Sequence, residues 1–502
     1  MRKIPTIMST QHPDNACPTF WSGKRFINTQ DEIQEAYVSF KELGCDEYMW
    51  DWEGKFVDEA VIDKLFRSYG SYFKKHPLGK DKFLTYRIPN IWEERGYRLA
   101  RAFINIVTAA DLARDLGFHT PPIMEVILPM TRRADQILET EKTFRKVAKL
   151  KCEIFEKSKT CSFAEINVIP IIEQVEELTQ ADKIIEEYLR IFKKEYGKYP
   201  QYVRPFIARS DPALMAGLIP AVLASKAAIS HFYKLAEKYG VPMYPIIGTG
   251  SLPFRGSVNP ENIREAINEY RGISTITVQS AFKYDYPKES VQKSIKYINT
   301  TLPRLVPDIL SDNEIAEVEK INGIFIDPYR KTVERLAPLI NKIAESIPAR
   351  RERMLHIGLF GYSRGVGKIK LPRAITFTAA LYSIGVPPEL IGTGRGLAQA
   401  KRNGQTDLIK KLYINLTRDL THAGKYLNKE NLRLLAKRHD EFKEIMTDVE
   451  EIENALDIEL GPHKDHHFLH RNMTSNIFYK MKMGMDTTND IEQAAEMRKS
   501  MG

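Results

Sequence analysis

Eight short segments rich in apolar or β-forming residues punctuate the first part of the chain. They are IPTIMST (4–10), DEYMWDW (46–52), FLTYRIP (83–89), PIMEVILPM (122–130), EINVIPIIE (165–173), YVRPFIARS (202–210), VPMYPIIGTG (241–250) and ISTITVQSAF (273–282). Several are unbroken apolar runs, the pattern of strands buried on both faces. The spacing between them predicts helices, as in TQDEIQEAYVSFKELG, DEAVIDKLFRSYGSYFKKH and NPENIREAINEYRG. Thr29 and Asp58 stand where N-caps are expected, and the glycine of KELG where a helix stops. An eightfold β–α alternation predicts parallel strands with right-handed crossovers, hence a (β/α)8 TIM-type barrel over 1–290. An open doubly wound sheet is the alternative. From about residue 310 the pattern turns helical, as in NLRLLAKRHDEFKEIMTDVEEIENAL. Residues 291–502 are therefore expected to form a large helical region packed on the barrel as one unit.

A barrel demands that functional residues gather at the C-terminal ends of its strands. Those ends offer His12, Asp51, Arg87, Arg132 with Arg133, Glu173, Arg209 with Asp211, the loop GTGSLPFRG, and Gln279 with Lys283. Glu173 and Asp211 are hard oxygen donors at neighbouring strand ends, suited to Mg2+ or Mn2+; a salt bridge to an arginine is the competing reading. Arg87, Arg132, Arg209 and Arg255 at one mouth would make an anion-binding cavity, because a guanidinium grips phosphate and carboxylate bidentately. His12 ends the first strand and Pro13 stops its ladder. A lone His there reads by default as a surface residue.

Composition narrows the function classes. The 502 residues are 43% hydrophobic. The start MRKIPTIMST lacks the apolar core of a signal peptide, and PALMAGLIPAVLAS is too short for a membrane span. Cys17, Cys45, Cys152 and Cys161 contain no CxxC pair and suit a reducing cytoplasm. The net charge of +9 fits solvated Lys-rich helix faces or an anionic small substrate. A nucleic-acid binder would spread basic residues along a face with interleaved aromatics; here the informative ones sit at strand ends. GTGSLPFRG (248–256) fails the dinucleotide fingerprint at Pro253, and GYSRGVGK (361–368) fails the P-loop pattern, since Ile369 stands where Ser or Thr would hold a metal. HKDHHFLH (463–470) suggests zinc by content alone, without a Cys partner.

Taken together and in this order, TIMSTQHPDN, INVIPIIEQVEEL, ARSDPALMAG, IIGTGSLPFRGS and GYSRGVGK…LPRAITFTAALYSIGVPPELIGTG resemble the phosphoenolpyruvate carboxylase family, in its shorter archaeal type, over nearly the whole chain. The resemblance implies a cytoplasmic homotetramer that joins phosphoenolpyruvate and bicarbonate into oxaloacetate and phosphate, through carboxyphosphate and pyruvate enolate. It implies His12 as catalytic base, Glu173 and Asp211 as ligands of Mg2+ (or Mn2+), Arg255 on a closing glycine loop with Gly248 and Gly250, and Arg364 and Arg373 in substrate binding. Departures from the longer enzymes are Thr249 in place of the loop's first arginine, Leu214 in place of a lysine, and Trp52 in place of an arginine. Arg87, Arg132 and Arg209 are the replacements that the barrel argument offers. The alternative function is another Mg2+-dependent barrel enzyme acting on a pyruvate enolate, of aldolase or phosphoenolpyruvate mutase type, which would not need bicarbonate.

Overall fold

In the computed structural model the eight segments become β1 (Ile7–Ser9), β2 (Glu47–Asp51), β3 (Phe83–Arg87), β4 (Glu125–Leu128), β5 (Asn167–Ile172), β6 (Phe206–Ala208), β7 (Ile246–Gly248) and β8 (Thr275–Val278). Each pairs in parallel with the next, and β8 closes on β1 through Ile7–Ile276, Met8–Thr277 and Ser9–Val278. The closed barrel excludes the open sheet. The structure describes residues 2–53, 57–93, 96–156, 163–352, 364–366 and 369–502, without the side chains of 364–366 and 369.

Side chains alternate between two faces of a strand, so each strand serves two cores. Met8, Met49, Ile127, Ile169, Ile171, Phe206 and Ile246 fill the barrel interior. Residues of opposite phase, such as Tyr48, Trp50, Tyr86, Val126 and Ile207, pack outward against the helices. Trp52 shares that outward phase and packs against Tyr86, with ring centroids 5.7 Å apart and the planes tilted by 43°. It therefore occupies the outer layer rather than the mouth.

The N-terminal end of the barrel is plugged by a polar layer. Arg204 Nη2 donates to Glu47 Oε2 at 2.8 Å and to Thr275 Oγ1 at 3.0 Å, and Nη1 pairs with Glu125. Glu47, Glu125 and Thr275 begin β2, β4 and β8, and Arg204 lies just before β6, so even-numbered strands supply one layer. All three charged side chains are buried. Burial opposes the charge on Arg204, but Glu125 and Glu47 outweigh it and hold its pKa above the ordinary arginine value. Arg204→Ala would leave buried Glu47 without its cation and Glu125 with Arg2 as its remaining one, with an expected loss of about 3–5 kcal/mol. A lower urea midpoint at unchanged slope would show it; an unchanged midpoint would mean the layer carries no net stability.

A second core joins barrel and helical region. Leu214, Leu218, Ile219, Val222 and Phe254 pack with Phe325, Val333, Leu336, Phe377, Leu381, Leu390 and Ile445. Its spine is the helix Asp312–Ala344, opened by a Ser311 capping box with Glu314. The first two helices start later than their sequence signals suggest, at Asp31 and Val61. The Thr29 hydroxyl instead donates to Glu352 at 2.8 Å, and Asp58 accepts from the Ala60 amide at 3.1 Å. Gly44, with φ of +85°, follows the first helix as expected of a stop. No single helix among the described residues is long and apolar enough to cross a membrane. Cys17 and Cys45 are free thiols, whereas Cys152 is disulfide-bonded, so the reading of four reduced cysteines does not hold there.

Candidate active site

The inward phase that fills the barrel with Met8, Met49, Ile171 and Phe206 carries on past the strand ends. It delivers His12, Glu53, Glu173 and Ser210 to a cavity of about 110 Å3 at the C-terminal mouth. Arg87, Arg209, Asp211, Gly248, Arg255, Thr277, Gln279 and Arg373 complete its wall. Both glycine-loop positions, both carboxylates and the histidine expected from the sequence are thus brought near one another or close behind the wall.

His12 is half-buried, and its Nδ1 lies 2.9 Å from Thr10 Oγ1. The turn beyond it is fixed from β8's side. The Ser280 amide donates to His12 O at 3.3 Å, and Asp285 accepts from the amides of Ala16 and Cys17, both at 2.7 Å. A strand tip held at several backbone points keeps the imidazole aimed at the mouth.

The carboxylates Glu173 and Asp211 come from the ends of β5 and β6, and both line the cavity. Glu173 is buried and accepts from the Met130 amide at 3.3 Å. Asp211 sits in the first turn of the helix Ser210–Ala216. Among the described residues no group of three or more His, Cys, Asp or Glu side chains is placed to hold a metal. A two-carboxylate donor set still suits Mg2+, which keeps several waters and takes substrate oxygens. Among the described residues no cysteine lines this wall, and His12 is its one imidazole, so the thiolate and imidazole set that favours zinc is missing there.

The arginines divide into distinct environments. Arg87 lies in the cavity wall, but Asp51 takes its Nε and Nη2 at 2.9 and 2.7 Å, and Glu53 takes Nη1 at 2.8 Å. Burial works against its charge, while Asp51 and Glu53 outweigh that and raise its pKa. Its role as a free anion clamp is therefore disfavoured, since its charge is already matched. Arg132 is half exposed and 3.6 Å from Glu177, and it does not line the cavity. Met130 takes a φ of +51° just after β4, and the chain turns there, carrying Arg132 away. Arg209 is buried, with Nε on Tyr270 Oη at 2.9 Å and Nη1 without a hydrogen-bond partner among the described residues. Arg373 stands at the N-cap position of the helix Ala374–Ser383, at the cavity edge, without a side-chain capping bond. Arg364 begins β9 (Arg364–Val366), which pairs with β10 (Ile369–Leu371); its side chain lies outside the description.

Arg255 is buried and holds four neighbours. Nη1 donates to Asp14 Oδ2 at 3.0 Å and to Gly502 O, Nη2 to Gln279 Oε1, and Nε to Ser210 Oγ at 3.2 Å. Burial lowers its pKa, with Asp14 opposing; burial likewise raises the Asp14 carboxyl, with Arg255 opposing. Residues 498–502 are tied in beside it. The Met501 amide donates to Asp14 O at 2.7 Å, and Arg498 Nη2 to Met501 O at 2.7 Å. The glycines make room for this arrangement. A Cβ on Gly250 would lie 2.8 Å from the Arg255 guanidinium carbon, and one on Gly248 would lie 2.6 Å from the Phe206 ring. Gly250→Ala is expected to push the buried guanidinium off its partners, which should cut kcat at least about tenfold and lower the melting temperature as well. Parent-level kcat would show that the room at Gly250 is not needed.

Glu53, Asp14 and Ser210 went unnoticed in the sequence. Glu53 was legible from phase, since Glu47, Met49 and Asp51 alternate toward it. Asp14 had no signal beyond its place after His12. The histidine-rich stretch lies elsewhere: His467 and His470 are buried against Tyr426, and His470 Nε2 faces Arg498 Nη1 at 3.3 Å.

Fold and cavity together place the chain among (β/α)8 barrel proteins that gather acidic and basic side chains at the C-terminal mouth. A sequence profile described as phosphoenolpyruvate carboxylase matches residues 4–502. Phosphoenolpyruvate carboxylases of Leuconostoc mesenteroides and Caldivirga maquilingensis are 39% and 42% identical, covering 100% and 92% of this chain and 99% and 91% of their own lengths. That of Methanothermobacter thermautotrophicus is 42% identical, covering 88% of this chain and 91% of its own. The chain belongs to the phosphoenolpyruvate carboxylase family.

Proposed function

We propose that this chain carboxylates phosphoenolpyruvate with bicarbonate, giving oxaloacetate and phosphate. Family membership over the full length favours this over the aldolase or mutase reading. The observation that carries it at the level of residues is one cavity lined by His12, Glu173, Asp211, Arg209, Arg255 and Arg373.

Two anions must first meet. Arg209 and Arg373 offset their charge and orient the phosphate and carboxylate groups. A divalent cation held by Glu173 and Asp211, Mg2+ or Mn2+, would supply further charge neutralisation when bound. A bicarbonate oxygen attacks phosphorus as the bond from phosphorus to the enol oxygen breaks, leaving carboxyphosphate and pyruvate enolate. His12 then takes the carboxyl proton of carboxyphosphate. The bond between its carbon and the bridging oxygen breaks to release CO2 and phosphate, and the enolate carbon adds to CO2. Water must be kept out, because it would protonate the enolate; the buried loop around Arg255 serves that end. The resemblance further implies a homotetramer in the cytoplasm, which gel filtration at several protein concentrations would test for assembly.

The deciding experiment couples oxaloacetate formation to malate dehydrogenase, with phosphoenolpyruvate, Mg2+ and bicarbonate. Expected is NADH oxidation that depends on all three and stops on chelation. Turnover indifferent to bicarbonate would favour the aldolase or mutase type instead.

A further inference from the structure

The loop carrying Arg255 is gripped from outside the barrel. The Phe254 amide donates to Glu389 Oε1 at 2.9 Å, and the Ser257 hydroxyl donates to Asp419 Oδ1 at 2.8 Å. These two contacts flank Arg255 along the chain, and both acids belong to the helical region. Each acid is itself fixed by a buried phenol: Tyr382 donates to Glu389 Oε1 at 2.8 Å, and Tyr413 to Asp419 Oδ2 at 2.7 Å. Phe254 also stacks on Phe377, with centroids 5.8 Å apart. Within the loop, Gly250 N donates to Arg255 O at 2.7 Å, so a shift of the flanks moves the arginine. Neither acid lines the cavity.

We propose that Glu389 and Asp419 are positioning residues that clamp the loop on both sides of Arg255 and so set its guanidinium in the cavity. This inference rests on Arg255 acting at the substrate, as in the function proposed above. A backbone amide and a hydroxyl buried without partners would be costly, so the loop has a strong reason to adopt the one conformation in which both acids are reached.

The protonation of the clamp gives it a pH sense. Burial pushes Glu389 up to about 7 and Asp419 up to about 6. Glu389 faces Tyr382, Tyr329 and Asp419; Asp419 faces Tyr413, Tyr270, Glu269 and Arg209. Burial also raises the phenols, so they remain neutral across this range. The loop contacts, from the Phe254 amide to Glu389 and from the Ser257 hydroxyl to Asp419, lower the two pKa values and so favour the ionised acids. The clamp is therefore firmest with both acids ionised and loosens as pH falls through about 7 to 6.

The test uses the full-length enzyme. Glu389→Ala and Asp419→Ala should lower kcat about 10- to 100-fold, with KM for phosphoenolpyruvate changed far less. Glu389→Gln keeps an acceptor and should restore most of kcat. Hydrogen exchange of the 252–258 segment should speed up in both alanine variants, with the barrel strands unaffected. In the parent its protection, corrected for intrinsic exchange, should rise between about pH 5.5 and 8, and in the Gln variant it should rise less. In an Arg255→Lys background, Glu389→Ala should cost little more, because both changes disable one element. Full multiplication of the two losses, or unchanged exchange at 252–258 in both alanine variants, overturns the clamp. An Arg255→Lys enzyme with parental kcat overturns the role of Arg255 instead, and the exchange arm still decides whether the acids hold the loop.

Discussion

Asp211→Ala is expected to abolish oxaloacetate formation at ordinary Mg2+ while leaving the fold intact, and Glu173→Ala is expected to do the same. Both carboxylates line the cavity, one at the end of β5 and one in the first turn after β6. Mg2+ needs few protein ligands when water and substrate oxygens complete its shell. Losing one of two such ligands therefore removes a large share of the site's hold on the ion. The barrier would rise through lost charge neutralisation between two anions, worth about 10^3-fold or more in rate if it resembles other electrostatic deletions. The measurement is kcat against Mg2+ and Mn2+ concentration, with circular dichroism to confirm folding. Full activity of Asp211→Ala at the parent's Mg2+ requirement would sink the assignment. Partial recovery at high Mn2+ would support it, because a weakened site can be refilled by mass action.

His12→Asn should change the product rather than only the rate. Asn keeps much of the shape and loses the titratable base. The first step is phosphoryl transfer, which depends on positioning and charge more than on a proton acceptor. Phosphoenolpyruvate should still be consumed in the presence of bicarbonate. Without a base to take the carboxyl proton, carboxyphosphate decomposes slowly and the enolate is protonated by solvent. Pyruvate and phosphate should then replace oxaloacetate, which lactate dehydrogenase and malate dehydrogenase couplings distinguish. Oxaloacetate at near the parental rate would mean that His12 is not the base. A variant that consumes nothing would place His12 in binding or in the first step.

Strand phase explains what the sequence could and could not reveal. All eight strands were legible, because continuous apolar runs bounded by turns leave few other readings. The inward phase of β2 and β5 predicts Glu53 and Glu173 at the mouth as directly as it predicts Met49 and Ile171 below them. Arg132 was misplaced for a physical reason: counting to the end of an apolar run does not reveal the turn at Met130. Arg87 was placed well but its environment was not, since Asp51 and Glu53 neutralise it from a neighbouring strand. Glu389 and Asp419 had no local signal. They meet Phe254 and Ser257 across more than a hundred residues of sequence, and only the packing of the helical region brings them there.

The guanidinium of Arg255 binds Asp14, 241 residues before it, and Gly502, 247 residues after it. That imposes an order on biosynthesis. A ribosome can release strands β1 to β8 for closure long before residues 498–502 emerge, yet the arginine has its full set of partners only after they dock. The same dependence exposes the protein to damage. Loss of residues 498–502 would release the arginine from Gly502, remove the Met501 amide from Asp14 and uncover the small core that Met501 helps to fill.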